Sequence, residues 1–202
     1  MIIMGIGKKY IVAVTGASGS IYAKRLVESL NITGVKIFLL CSATGLAIFE
    51  HELSVKLPEK EKLTIFFKDY FNNKNIEYLE NTDFHASISS GSFKTDGMVV
   101  IPASMGCIGR IAAGVSSSLI ERAADVVLKE RRKLILVPRE TPLSSIHLEN
   151  MLKISNAGGI ILPAMPAFYN KPGSMDDLAN FIAGRVLDAL DIEHNLYKRW
   201  AD

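Results

Sequence analysis

The sequence predicts one α/β domain of three layers, a mainly parallel sheet with helices on both faces. Three observations carry this. Short apolar runs alternate five times with helical patterns along the 202 residues, as in successive β-α-β units. The best-defined runs are apolar at consecutive positions, as in strands covered on both faces. The residues just after the runs are small, polar or charged, so one edge of the sheet is chemically equipped.

Taken in order, Tyr10 to Thr15 is the first strand. It leads through Gly16-Ala-Ser-Gly19 into a helix over Ile21 to Leu30, with Ala23, Leu26, Val27 and Leu30 on one face. Val35 to Leu40 is the second strand, and Ser42 caps a helix reaching about Leu53. Glu59 to Phe71 reads as a helix after the break at Pro58. Ile76 to Leu79 is a short strand before a polar, Ser-rich stretch ending near Gly91. Gly97 to Ile101 is a strand ended by Pro102-Ala-Ser-Met-Gly106, with helical pattern from Ile108 and again from Ser118 to Leu128. Lys133 to Val137 is a strand, Ser145 to Ala157 a helix stopped by Gly158-Gly159, and Ile160 to Leu162 the last strand. A proline-rich loop follows. Ser174, with Asp177 three residues on, then opens a long helix to about Leu190. A single domain over 1–202 is expected, with 191–202 a tail.

The composition narrows the function classes. Hydrophobic residues make up 49%, enough for a full core. The net charge of +2 gives no footing for a nucleic-acid or membrane partner. Two cysteines without C-x-x-C spacing and four scattered histidines point to neither a disulfide framework nor a metal site. No apolar run approaches the roughly 18 residues of a spanning helix. Met1 to Lys9 is too short for a signal peptide, so a cytoplasmic protein is expected.

The strand ends hold the candidate site. Gly16-Ala-Ser18 lets backbone approach a ligand closely at a helix start, where anions are favoured. The spacing does not match the G-x-G-x-x-G dinucleotide fingerprint, and no acidic residue ends the second strand, which argues against NAD. Ser104-Met-Gly-Cys107 follows the fourth strand, and Arg139-Glu140 the fifth. Arginine offers a planar fork of donors for phosphate, and glutamate beside it is a candidate acid or base.

At these residues the chain resembles a known family. Val14-Thr-Gly-Ala-Ser-Gly19, Pro102-Ala-Ser-Met-Gly106, Val137-Pro-Arg-Glu-Thr-Pro-Leu143 and Gly158 through Pro-Ala-Phe-Tyr169 are similar to signatures of the UbiX/Pad-type flavin prenyltransferases. The resemblance runs from about Lys9 to Trp200 and implies a flavodoxin-like/Rossmann-like fold. It implies that FMN contacts Gly16, Ala17, Ser18, Ser42, Ser104, Met105, Gly106, Cys107 and Arg139. It implies that dimethylallyl phosphate is held by Arg122, Lys129, Arg139, Tyr169 and Arg185, with Trp200 closing the site from the tail. Ser18, Glu52 and Glu140 are the implied catalytic residues.

The implied reaction joins the dimethylallyl group to N5 and C6 of reduced FMN, giving the prenylated cofactor of UbiD-type decarboxylases. No metal is implied, since side-chain cations suffice for the leaving phosphate. A homododecamer with sites at subunit interfaces is also implied. The apolar segment Ile108 to Val115 is a candidate contact surface, or else an internal helix. Cys107 departs from the pattern, standing where relatives more often carry Thr or Ser. Two competing readings are a related flavin-dependent decarboxylase and a flavin carrier. The former typically has an early histidine and a P-A-S-A-N-T stretch; here no His precedes His51.

Overall fold

The structure is a computed structural model that describes residues 7–199. Trp200 therefore lies outside the described residues. In chain order the elements are β1 (Lys9–Val14), α1 (Ser20–Ile32), β2 (Lys36–Cys41), α2 (Ala43–Glu52), α3 (Leu63–Tyr70), β3 (Ile76–Leu79), β4 (Gly97–Ala103), α4 (Met105–Ala112), α5 (Leu119–Lys129), β5 (Lys133–Pro138), α6 (Ser145–Asn156), β6 (Ile160–Ile161) and α7 (Met175–Ala189). The strands form one parallel sheet in the order β3-β2-β1-β4-β5-β6.

Alternate side chains of each strand feed two cores. Tyr10, Val12 and Val14 of β1 face α1, α2, α3 and α7. Ile11 and Ala13 face α4, α5 and α6 on the other side. The central strands are therefore buried on both faces, which explains their unbroken apolar runs. The chain winds outward from β1 through β2 and β3, then returns to β4 on the opposite flank of β1. The order reverses between β1 and β4, so a crevice opens beyond their carboxyl ends.

The structure departs from the sequence reading in four places. The stretch expected as a helix from Glu59 starts with a 3₁₀ turn over Lys60–Lys62, and α3 begins only at Leu63. β4 runs two residues further, through Pro102 to Ala103, with a register shift against β5 between Val100 and Ala103. That irregularity accommodates a proline, which lacks the N–H a regular ladder uses. α4 starts at Met105 rather than Ile108, because Ser104 caps it through the Cys107 N–H at 3.4 Å. Gly106 and Gly109 hide this first turn from propensity arguments. Finally, the segment offered as a contact surface is internal only in part: Ile108 and Ile111 point into the second core, while Ala113, Gly114 and Val115 are exposed. Further exposed apolar side chains include Ile146, Leu148 and Leu152 of α6 and Met165 and Phe168 of the loop after β6.

Candidate active site

The loop after β1 is tied to the loop after β4. The Thr15 hydroxyl donates to the Pro102 carbonyl at 2.8 Å and accepts the Ser104 N–H at 2.7 Å. On its other side the loop runs against α2. A Cβ on Gly16 would sit 2.8 Å from Thr44 Cγ2, so only glycine lets the backbone pass there.

Three helix N-termini converge on the cavity this leaves, which has a volume of about 310 Å³. Ser42 caps α2 by accepting the Gly45 N–H at 3.0 Å, Ser104 caps α4, and Ser118 caps α5 through the Glu121 N–H at 3.4 Å. All three serines line the cavity. Partial positive charge from three helix starts favours an anion such as a phosphate. Together with the glycine that a Cβ would crowd, this polar, anion-favouring wall fits a nucleotide such as FMN.

Of the residues assigned to FMN, Gly16, Ser42, Ser104 and Cys107 line this cavity. Ala17 and Met105 are buried beside it in sequence, and Gly106 is exposed on the first turn of α4. Burial, with the nearby Glu121 charge, pushes the Cys107 thiol up to about 12. It is therefore a protonated, weakly donating group at neutral pH and no nucleophile.

Ser18, Glu52 and Arg139 meet at the start of α1. Gly19, at φ 118°, is in the left-handed region that glycine tolerates, and it contributes no side-chain cap. The carboxylate of Glu52, from the last turn of α2, supplies the cap instead. It accepts the Gly19 N–H at 2.9 Å and the Ser20 N–H at 2.7 Å. Burial draws the Glu52 carboxyl upward, but hydrogen bonds from the Ser18 side chain, Gly19 and Ser20 outweigh it and hold it below the usual range. Arg139 reaches across from the end of β5 and donates from Nε to the Ser18 carbonyl at 3.0 Å. Glu140, next to it, is exposed and accepts the Thr141 N–H at 3.0 Å.

The other assigned cations fall in two further sets. Arg122 and Lys129 sit on α5, which packs on the second core. Arg122 donates to the Ser89 carbonyl at 3.0 Å and pairs with Asp125 at 2.8 Å; Lys129 pairs with Glu130 at 3.0 Å. Arg185 sits on α7, on the opposite side of the sheet, paired with Asp188 at 3.1 Å and bonded to Tyr197. Tyr169 and Phe181 meet in a T-shaped pair, and Phe181 in turn contacts Tyr197. One aromatic cluster thus links Tyr169 with Arg185.

Sequence reasoning missed several cavity residues. Thr15, Thr44, Asn81, Arg110, Ser117, Ser118 and Glu121 all line it. Asn81 is there because its Oδ1 accepts the Ile120 N–H at 3.0 Å, binding the loop after β3 to the start of α5. Only Arg110 carried a usable signal, as a lone charge inside an apolar helical segment.

Fold and site together define a doubly wound α/β protein whose strand-end crevice is built for an anionic nucleotide. A family model described as Flavoprotein matches residues 5–187. The chain is 46% identical over 193 residues to the flavin prenyltransferase UbiX of Halalkalibacterium halodurans, covering 96% of this chain and 93% of the relative. It is 49% identical to the protein of the same name from Methanocaldococcus jannaschii, covering 95% and 98%. A crystal structure of AnUbiX (PadA1) in complex with FMN and dimethylallyl pyrophosphate superposes with a TM-score of 0.85 at 38% identity, covering 96% and 98% of the two chains. A dodecameric FMN-dependent UbiX-like decarboxylase from Escherichia coli O157:H7 gives 0.84 at 42% identity, covering 96% and 100%. The chain belongs to the UbiX flavin prenyltransferase family of flavoproteins.

Proposed function

We propose that this chain joins a dimethylallyl group, carried by dimethylallyl phosphate, to reduced FMN, and that the product serves a UbiD-type decarboxylase. The observation that carries this is the convergence of an ionised Glu52 and the Arg139 guanidinium on Ser18, at the lip of an anion-favouring crevice. Bound reduced FMN supplies the N5 and C6 atoms that accept the allyl carbons.

The protein holds and protonates around that chemistry. Glu52 keeps the Ser18 hydroxyl donating toward it, which leaves the Ser18 Oγ lone pairs free to take a proton from a ligand. A proton arriving at Ser18 Oγ passes on to Glu52. Arg139 anchors the Ser18 loop by Nε and keeps its other guanidinium N–H groups for a leaving phosphate. Glu140 is the proton donor to that phosphate. The face of Tyr169 stabilises positive charge on the allyl fragment.

Arg122 and Lys129 lie on the other side of the sheet from Arg185. A homo-oligomer in which a second copy brings its α5 to the crevice reconciles this with a shared phosphate site. A dodecamer like that of the E. coli relative would do so. The enzyme works in the cytoplasm as one domain. Among the described residues no helix is long and apolar enough to cross a membrane.

The test is anaerobic incubation with reduced FMN and dimethylallyl phosphate, then mass analysis of the extracted flavin. A gain of one C5H8 unit is expected. Unmodified FMN, with the diphosphate also tried, would overturn the proposal in favour of a decarboxylase or a carrier.

A further inference from the structure

Glu121 is the one charged side chain that lies fully inside the cavity wall among the described residues, only 2% exposed in the first turn of α5. A carboxylate so deep must be paired to remain charged. Its Oε1 accepts Arg110 Nε at 2.5 Å, and its Oε2 accepts the Ser117 N–H at 2.9 Å and the Ser117 hydroxyl at 2.6 Å. Burial pulls its pKa up, but these bonds pull it further down, so it stays ionised.

Its partner is placed differently. Arg110 is half exposed, and both it and Glu121 line the cavity with Gly16, Ser42 and Ser104. The guanidinium folds back over the first turn of α4, with Nη1 3.4 Å from where a Cβ on Gly106 would sit. A guanidinium has five donors. Here Nε is spent on Glu121, and the Nη groups have no protein acceptor among the described residues.

We propose that Arg110 binds the phosphate of FMN through its Nη groups, and that Glu121 is a positioning residue that fixes the guanidinium by Nε. The inference rests on the flavin-binding reading above. The geometry answers the obvious objection, that a carboxylate in the wall repels a phosphate. Both Glu121 oxygens are turned to donors of its own, and the Arg110 cation and three helix starts share the cavity wall with it and offset its charge there. Because Arg110 and Glu121 nearly cancel in net charge, the gain comes from directed hydrogen bonds, which arginine's fork makes and a lysine's point charge does not.

FMN and riboflavin differ only in the phosphate, so their affinities separate this contact from the rest of the site. Fluorescence titration of the full chain with each flavin is the experiment. Arg110→Met should weaken FMN by about ten- to a hundredfold, the worth of a charge-assisted hydrogen bond, with riboflavin unchanged. Arg110→Lys should recover only part of the loss. Since Arg110→Met leaves Glu121 buried without its cation, the double variant R110M/E121Q removes both charges and should show the same selective loss. An unchanged ratio of FMN to riboflavin affinity in both variants, or an equal loss of the two flavins, would overturn the phosphate contact. A wild-type protein that binds neither flavin would overturn the flavin reading itself, and this inference with it.

Discussion

Replacing Glu52 by alanine removes the acceptor of the Gly19 and Ser20 amides and of the Ser18 hydroxyl in one step. Loss of a helix cap costs about 1 kcal/mol within a range of about 0.5–2, and loss of a carboxylate at a helix start about 0.3–1 more. Glu52 is exposed, so solvent screens its charge and the lower half of the combined range applies, about 1–1.5 kcal/mol. For a chain of this size that is a fall in Tm of about 3–5 °C. Glu52→Gln keeps the shape and one acceptor oxygen and should lose about half as much. The carboxyl is held low in the folded state, so its contribution is present above its unfolded pKa and fades as pH falls through the lower folded value. The wild-type advantage over Glu52→Gln in thermal melts should therefore be constant at neutral pH and vanish in acid. Turnover separates the two roles of the residue. As proton acceptor through Ser18, its loss in Glu52→Gln should slow prenylation by about 10²–10⁴-fold while FMN remains bound. A Glu52→Gln protein with wild-type turnover would refute the proton path, and one with no change in Tm for Glu52→Ala would refute the cap.

Three further outcomes follow from the same geometry. Gly16→Ala places a methyl group 2.8 Å from Thr44 Cγ2 and should cost about 1–3 kcal/mol in denaturant melts, with weaker FMN binding. Asp188 gathers Arg185, His194, Tyr197 and Arg199 at the end of α7; burial raises its pKa but Arg199, Tyr197 and His194 hold it below the usual carboxylate value. Asp188→Asn should therefore destabilise at neutral pH, and the difference from wild type in pH-dependent melts should begin to shrink below the ordinary Asp pKa of about 3.9 and disappear only once pH has fallen through the lower folded value. Glu140→Gln and Tyr169→Phe should each lower turnover with FMN still bound, as measured by flavin mass analysis beside absorbance of the purified protein; full activity in both would remove them from the mechanism.

What the sequence made legible was local in the chain. A cap such as Ser42 or Ser174 lies within three residues of the amide it satisfies, and a strand end is marked by its own next residue. The alternation of runs and helices likewise fixes a parallel sheet before any contact is known. Asn81 and Glu121 are of another kind. Asn81 binds a backbone N–H 39 positions away, and Glu121 an arginine 11 positions away on another helix. Nothing in their immediate neighbours announces a cavity. The family signatures reached Ser18 and Glu52 only by likeness; the physical tie, a carboxylate capping a helix 32 positions earlier, appears only once α2 is laid against α1.

The cations show why one chain's sequence and one chain's fold both stop short of the phosphate site. Arg122, Lys129 and Arg185 each carry an acidic partner of their own, at 2.8, 3.0 and 3.1 Å. Such exposed pairs are worth little, about 0.2–1 kcal/mol, so a phosphate with two or more charges displaces them at small cost. On the proposed function, they act as resting partners that keep these cations oriented until a ligand arrives. Asp125→Asn and Asp188→Asn remove the resting partners of Arg122 and Arg185, and a loss of donor affinity in each as severe as that from replacing the arginine itself would refute this role. Retained affinity in both would show that the acidic partners yield to the ligand.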